Sequence, residues 1–239
     1  MKKLTLISFT TIFTMAQSSE NLIDINIDLL KKALSIPSGG SNGKSYYNIT
    51  INGEKIGGER AWENRWNLIK DSLNFKNKKI LELGCNIGMS SMYILKFRRA
   101  KSSVGVDLPN EQLAKVGNPR MIEAAHLLQQ AFNIPMEIKQ LDFNIDNYEQ
   151  IIGNNYDIVL CTSILKWVND KQRFLKFLSN FKYVIFEGHD DDKTEIERFN
   201  SVGFKYYKIL GSTQIGASYT QDQHRTLICF SKTPLFFIW

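Results

Sequence analysis

Residues Ile80-Leu81-Glu82-Leu83-Gly84-Cys85-Asn86-Ile87-Gly88 form an apolar run that ends in two closely spaced glycines and leads into the helical pattern of Met89 onward. A strand that is apolar on both faces belongs inside a parallel sheet, between layers of helix. A glycine at its C-terminal end lets the backbone turn sharply and lie against a ligand without a Cβ in the way. The chain is therefore expected to be an α/β protein with a ligand held against Gly84 to Gly88. The turn does not have Gly-x-Gly-x-x-Gly spacing, and Glu82 stands just before the first glycine, suited to a cationic amino group and unsuited to a pyrophosphate.

Further strand ends follow in register. Ser103-Val104-Gly105-Val106-Asp107 is a short β-type run ending in a carboxylate. It lies roughly 20 residues after the glycine turn, where a βαβ unit delivers its second strand end. Asp107 can there accept both ribose hydroxyls of a nucleoside, or it is a turn aspartate before Leu108-Pro109. Met136 to Phe143 predicts a third strand and Tyr156 to Val168 a fourth with its following turn. Phe181 to Glu187 predicts a fifth. Asp192 to Val202 reads as a helix stopped by Gly203, and Phe204 to Leu210 and Arg225 to Phe230 as two last strands.

The pattern Glu82-x-Gly84-x-Asn86-x-Gly88 resembles motif I of the class I S-adenosylmethionine-dependent methyltransferases, Glu/Asp-x-Gly-x-Gly-x-Gly, with Asn86 in place of the middle glycine. The resemblance covers about residues 60 to 232. It implies a Rossmann-like three-layer α/β sandwich with a seven-stranded, mostly parallel sheet whose last strand is antiparallel, and S-adenosylmethionine as cofactor. Carried over by position, it implies cofactor contacts from Glu82, Gly84, Cys85, Asn86, Gly88, Asp107, Leu108, Asp142 and Phe143. Asp142 would bond the adenine amine, Phe143 would pack on the ring, and Cys161 would sit as a small residue beneath the cofactor. Asp107 fits NAD equally well, but the turn itself argues against an oxidoreductase. Residues 1–59 are expected to form an N-terminal extension and residues 60–239 the methyltransferase domain.

Three features bear on the acceptor. Trp62, Arg65 and Trp66 fall on a predicted helix before motif I. Either Arg65 reaches the cofactor carboxylate, as upstream basic residues do in several methyltransferase groups, or the helix simply stacks its tryptophans on the sheet. The turn Leu165-Lys166-Trp167-Val168 resembles those of small-molecule O-methyltransferases and of RNA 5′-phosphate methyltransferases alike; Trp167 either flanks the cofactor or packs in the core, and the core reading is favoured because large aromatics are usually buried. Glu187-Gly188-His189-Asp190 follows the fifth strand, and strand C-termini face the ligand crevice in an open α/β sheet. Glu187 and His189 are thus candidate general bases, with a polar loop leading to an N-cap at Asp191 or Asp192 as the alternative. The Asn/Asp-Pro-Pro-Tyr motif of N6-adenine and glutamine methyltransferases is absent, as is a Pro-Cys nucleophile.

At 239 residues the chain can bury a full core without disulfides or metal. Cys85, Cys161 and Cys229 read as reduced core residues, and His126, His189 and His224 form no zinc pattern. The formal net charge of +6 leaves nucleic acid possible as a partner, although no Lys/Arg stripe with interleaved aromatics is present. Lys2-Lys3 and the apolar segment to Ala16 imitate a signal peptide imperfectly and are too short to span a bilayer, so a cytoplasmic protein is expected. Residues 20–36 predict an amphipathic helix capped by Ser19, lying over the cleft or serving a dimer. Tyr46 to Ile51 predicts a strand entering an Asn52-Gly53 hairpin turn. The favoured function is methyl transfer to a small molecule or glycan precursor, with RNA methylation or a noncatalytic cofactor-binding subunit as alternatives. The sequence names neither the acceptor nor the oligomeric state.

Overall fold

The computed structural model describes residues 24–39, 45–58, 60–213 and 225–235. Helix α1 (Ile27–Ser35) is capped by Asn26, whose side chain accepts a bond from the Leu29 amide at 3.1 Å. The expected cap, Ser19, lies outside the described residues, as do the signal-like segment and His224. Leu30, Ala33 and Leu34 of α1 are buried, and Asn26 donates its amide to Ala131 at 2.8 Å. The apolar face of the helix therefore packs into the main body instead of covering the cleft.

Strands β1 (Tyr47–Ile51) and β2 (Glu54–Gly57) form the expected hairpin, and β3 (Arg60–Ala61) joins β1 in parallel. Asn52 and Gly53 have φ of 52° and 81°, and two successive positive values are what a tight hairpin turn requires. Helix α2 (Trp62–Ile69) then leads to the large sheet.

That sheet contains β4 (Lys79–Leu83), β5 (Ser102–Asp107), β6 (Glu137–Gln140), β7 (Ile158–Thr162), β8 (Tyr183–Glu187), β9 (Tyr206–Thr213) and β10 (Arg225–Ser231). Its order is β6-β5-β4-β7-β8-β10-β9. Neighbours from β6 to β8 pair in parallel, and β10 inserts antiparallel between β8 and β9. This is the seven-stranded sheet with one antiparallel strand implied by motif I.

Side chains alternate between two cores, as the period of a strand demands. Ile80, Leu160, Ile185 and Leu227 join Leu30 of α1, Trp62 of α2, Met92 of α3 (Met89–Arg98) and Leu128 of α5 (Met121–Phe132). Leu81, Val159, Cys161 and Ile228 join Tyr148 of α6 (Tyr148–Ile152), Phe174 of α7 (Lys171–Leu178) and Phe199 of α8 (Asp192–Ser201) on the other face. The short α4 (Asn110–Lys115) lies just beyond the end of β5. Residues 24–39 and 45–58 contribute to the first of these cores. α8 is capped by Asp191, one of the two residues anticipated for that role.

Candidate active site

The carboxyl ends of the parallel strands and the small β1–β3 sheet border an open cleft of about 740 Å³. Reversal of strand order between β5-β4 and β7 puts it at the switch point where open α/β sheets bind ligands.

The glycine turn forms one wall. The amides of Gly84 and Cys85 both donate to the Val106 carbonyl, at 2.8 and 3.0 Å, which folds the turn back onto β5. Gly84 and Gly88 have φ of 69° and 79°. Asn86 between them also takes a left-handed φ, 52°, a conformation asparagine tolerates better than most residues. That explains how it substitutes for a glycine. Its Nδ2 donates to the Ser38 carbonyl at 2.5 Å, anchoring the turn to the segment after α1.

Asp107 closes this wall. The Asn86 amide donates to its Oδ2 at 2.7 Å and the Leu108 amide to its Oδ1 at 2.8 Å, so each oxygen is fixed with lone-pair capacity remaining. Burial raises its pKa, opposed by those two bonds. Glu82 is 3% exposed and accepts from the Ser91 amide at 3.0 Å and the Ser91 hydroxyl at 2.6 Å. It thereby caps the first turn of α3, a task Gly88 at the N-cap position cannot perform. Burial raises its pKa as well, against the bonds from Ser91 and Ser90. Cys85, Leu108, Asp142 and Phe143 also line the cleft.

Three expected positions fall elsewhere. Cys161 is fully buried on the face of β7 that points to the second core, because the strand alternation sends Thr162 rather than Cys161 to the cleft. Gly88 serves as the N-cap of α3 and is not among the cleft-lining residues. Trp167 is 67% exposed and lines the cleft, with Lys166 Nζ 4.5 Å from its ring centroid, so it is a rim residue and not a core one.

The opposite wall is built around a buried ion pair. Arg65 Nη2 donates to Glu187 Oε2 at 2.5 Å, with side-chain exposures of 5% and 0%. Arg65 also bonds the Tyr47 hydroxyl, and Glu187 accepts from the Ser163 hydroxyl and, at 2.5 Å, from Thr213 Oγ1. Burial alone would raise the Glu187 pKa, but Arg65, Ser163, Thr213 and Arg225 outweigh it and hold the carboxyl at about 2. A carboxylate this acidic, with its oxygens already bonded, is a poor proton acceptor. Glu187 is thus corrected from candidate base to structural anchor. Arg65 lines the cleft as well, and its ion pair with Glu187 fixes the guanidinium in this wall.

His189 lines the cleft, and both of its ring nitrogens are buried without a hydrogen-bond partner among the described residues. Burial, then the Arg225 and Lys166 cations, push its pKa down to about 4, against the opposing pull of Glu187. The expectation of a base titrating near neutrality is therefore corrected: the ring is neutral at pH 7 but weakly basic.

Several cleft residues carried no sequence signal. Arg225 opens β10 and is 6% exposed, with Nη1 donating to Ser163 Oγ at 2.8 Å and to the Tyr46 hydroxyl at 3.3 Å. Arg60 lies over the Tyr46 ring at 4.7 Å. Ser163 adopts a left-handed φ of 64° in the turn after β7 and gives its amide to the Glu187 carbonyl at 2.9 Å. Such strain in a non-glycine residue is a feature of functional sites. Only chain topology brings these residues together, since they come from the hairpin, the β7 turn and the last strand.

Comparison with known proteins agrees with this architecture. No family model matches the chain. The U6 snRNA methylphosphate capping enzyme Amus of Drosophila melanogaster is 29% identical over 102 residues, which span 40% of this chain and 32% of that protein. The N-terminal domain of EvdMO1 with SAH bound superposes at a TM-score of 0.56 with 14% identity, covering 87% of this chain and 97% of the domain. The same domain in the presence of SAH and D-fucose gives 0.53 at 15% identity, with the same coverage of 87% and 97%. The YcgJ protein of Bacillus subtilis gives 0.53 at 10% identity, covering 72% and 98%. Sheet order, the inserted antiparallel strand and these superpositions establish the fold of class I methyltransferases.

Proposed function

We propose that this protein, which has the class I methyltransferase fold, transfers a methyl group from S-adenosylmethionine to a small-molecule acceptor. The observation that carries the reading is the Asp107 carboxylate, fixed by two backbone amides at the mouth of the glycine turn. Its free lone pairs suit a pair of ribose hydroxyls, and the neighbouring Gly84, Cys85 and Asn86 line the cleft beside it. Asp142 and Phe143 line the same wall and suit the adenine. Bound there, S-adenosylmethionine would supply an electrophilic methyl on a sulfonium.

This chain's own contribution to transfer is then largely alignment. Charge is dispersed in the displacement, and positioning alone contributes on the order of 7 to 11 kcal/mol. A weakly basic His189 and an ion-paired Glu187 fit an acceptor that needs no proton removed. The acceptor is read as small because the cleft offers only about 740 Å³ for cofactor and acceptor together, and a fold neighbour was solved in the presence of D-fucose.

A second reading, methylation of an RNA end, is favoured by the local likeness to the U6 snRNA methylphosphate capping enzyme. Calorimetry is expected to detect S-adenosylhomocysteine and not NAD; the reverse would reject the cofactor. Labelled-methyl transfer into cell extract is expected to survive RNase, and loss of all labelling with RNase would favour the second reading.

A further inference from the structure

We propose that the acceptor is an anionic small molecule, seated by a phosphate or carboxylate group against Arg225, Lys166 and His189. The proposal rests on the cofactor reading above and extends it to the other half of the cleft.

Arg225 is the central observation. It is 6% exposed, its Nε is buried without a hydrogen-bond partner, and its Nη1 meets only the hydroxyls of Ser163 and Tyr46. Among the described residues it has no carboxylate within ion-pair distance. A buried guanidinium without a counter-ion costs several kcal/mol unless something compensates it. Glu187 attracts Arg225 across the shared Ser163 hydroxyl but makes no ion pair with it, its Oε2 being bound by Arg65 and Ser163 and its Oε1 by Thr213, so the compensation is partial.

The surroundings add charge of the same sign. Arg225, Lys166 and Arg60 all act on His189 as cations, against the single carboxylate of Glu187. Lys166 is itself destabilised as a cation, by burial and then by Arg225 and Arg60. The cofactor cannot balance this wall, because its one carboxylate is outnumbered by an ammonium and a sulfonium. An oxyanion is the ligand group that answers all of these features together. Arginine offers it paired donors, lysine a point charge, and the His189 ring a nitrogen donor. The three groups come from β10, the turn after β7 and the loop after β8, so they converge on one volume lining the cleft.

The test uses the full chain. Calorimetry first measures S-adenosylhomocysteine binding, and the loaded protein is then titrated in separate arms with inorganic phosphate and with acetate. Wild-type protein is expected to bind at least one of these anions, and the preferred arm assigns the source as phosphate or carboxylate. Lys166→Gln and Arg225→Gln are expected to weaken that anion at least tenfold while S-adenosylhomocysteine affinity stays within twofold. Lys166 is exposed, so its variant reports even if Arg225→Gln fails to fold. If S-adenosylhomocysteine binds but neither anion does, or if both variants bind the anion as wild type does, the proposal is overturned and the cofactor reading stands. If S-adenosylhomocysteine itself does not bind, the cofactor reading fails first and takes the proposal with it.

Discussion

Replacing Glu187 with glutamine keeps the shape of the side chain and removes its charge. Held at about 2 against an ordinary 4.5, the ionised carboxylate is favoured in the folded state by about 3 kcal/mol, at about 1.4 kcal/mol per pH unit. The substitution also strands the Arg65 guanidinium, 5% exposed, without its counter-ion. Removing one partner of a buried pair costs roughly 3 to 5 kcal/mol. Glu187→Gln is therefore expected to lower unfolding free energy by about 3 to 5 kcal/mol, read as a shift in urea midpoint with the slope unchanged. Arg65→Met should cost a comparable amount. The double variant should recover about 2 kcal/mol relative to the sum, because it removes the stranded charge. A single substitution costing less than about 1 kcal/mol, or strictly additive costs, would refute the idea that the pair anchors this wall.

The same pair fixes the sign of an acid dependence. The folded pKa of Glu187 lies below its unfolded value, so the unfolded chain binds the extra proton as pH falls. Its stabilisation is complete above about pH 4.5 and is lost toward pH 2. In Glu187→Gln that component of the acid slope should vanish.

His189 adds a separate window, since its folded pKa of about 4 lies below the ordinary 6.5. Its stabilisation is present above pH 6.5 and declines as pH falls toward 4, and His189→Gln should flatten stability across that range in denaturant titrations; an unchanged slope would place the titration elsewhere. Asp107→Ala should weaken S-adenosylhomocysteine at least tenfold by calorimetry, since charge-assisted bonds contribute roughly 1.5 to 3 kcal/mol each; unchanged affinity would remove Asp107 from the site. Gly105→Ala would put a Cβ 2.8 Å from both Cys85 Sγ and Met136 Cε. A cost of about 1 to 3 kcal/mol and weaker cofactor binding are expected in melts and calorimetry, and neutrality in both would mean the glycine turn can retreat. Trp167→Ala, at an exposed rim position, should change stability by no more than about 0.5 kcal/mol while raising the KM for the acceptor or cofactor; a large loss of stability with no change in KM would return it to the core.

The glycine-turn wall of the cleft is legible in the sequence because each part is local. A strand, its turn and the carboxylate at the next strand end are contiguous patterns, and backbone geometry at Gly84, Asn86 and Asp107 follows from residue type. The hairpin and the cap at Asp191 were readable for the same reason. Cys161 failed on parity: a one-residue step along β7 exchanges the cleft for the core. Of the two readings for Trp167, the favoured core one fails because the short turn after β7 leaves the ring exposed at the cleft rim. Glu187 was placed at the correct strand end, but nothing in its neighbourhood along the chain announced Arg65, 122 residues earlier. A carboxylate is a base or an anchor according to its partners, and those were set by tertiary contact.

The chemistry divides along the sheet. Its β4-β5-β6 half presents Glu82, Asp107 and Asp142, acids suited to hydroxyl and amino groups of a nucleoside cofactor. The half formed by β7, β8 and β10, with the small β1–β3 sheet across it, presents Lys166, Arg225 and Arg60, while its Glu187 carboxylate is bound to Arg65. That division has a physical consequence for how such a site fills. An anion entering the cationic half would relieve the electrostatic cost at Lys166 and His189 and raise both of their pKa values, so anion binding should take up protons near pH 5 to 6 and tighten as pH falls through that range. Around His189 the opposing charge is Glu187, already ionised well below this range, and the like charges are Arg225, Lys166 and Arg60. Glu195 Oε1 accepts from the His189 and Asp190 amides and the carboxylate faces Arg198, so it acts on the loop backbone rather than the ring. Calorimetric anion titrations in buffers of different ionisation enthalpy read proton uptake directly. Uptake that persists in His189→Gln, or proton release on anion binding to the wild-type protein, would show that the anion does not meet the His189 ring.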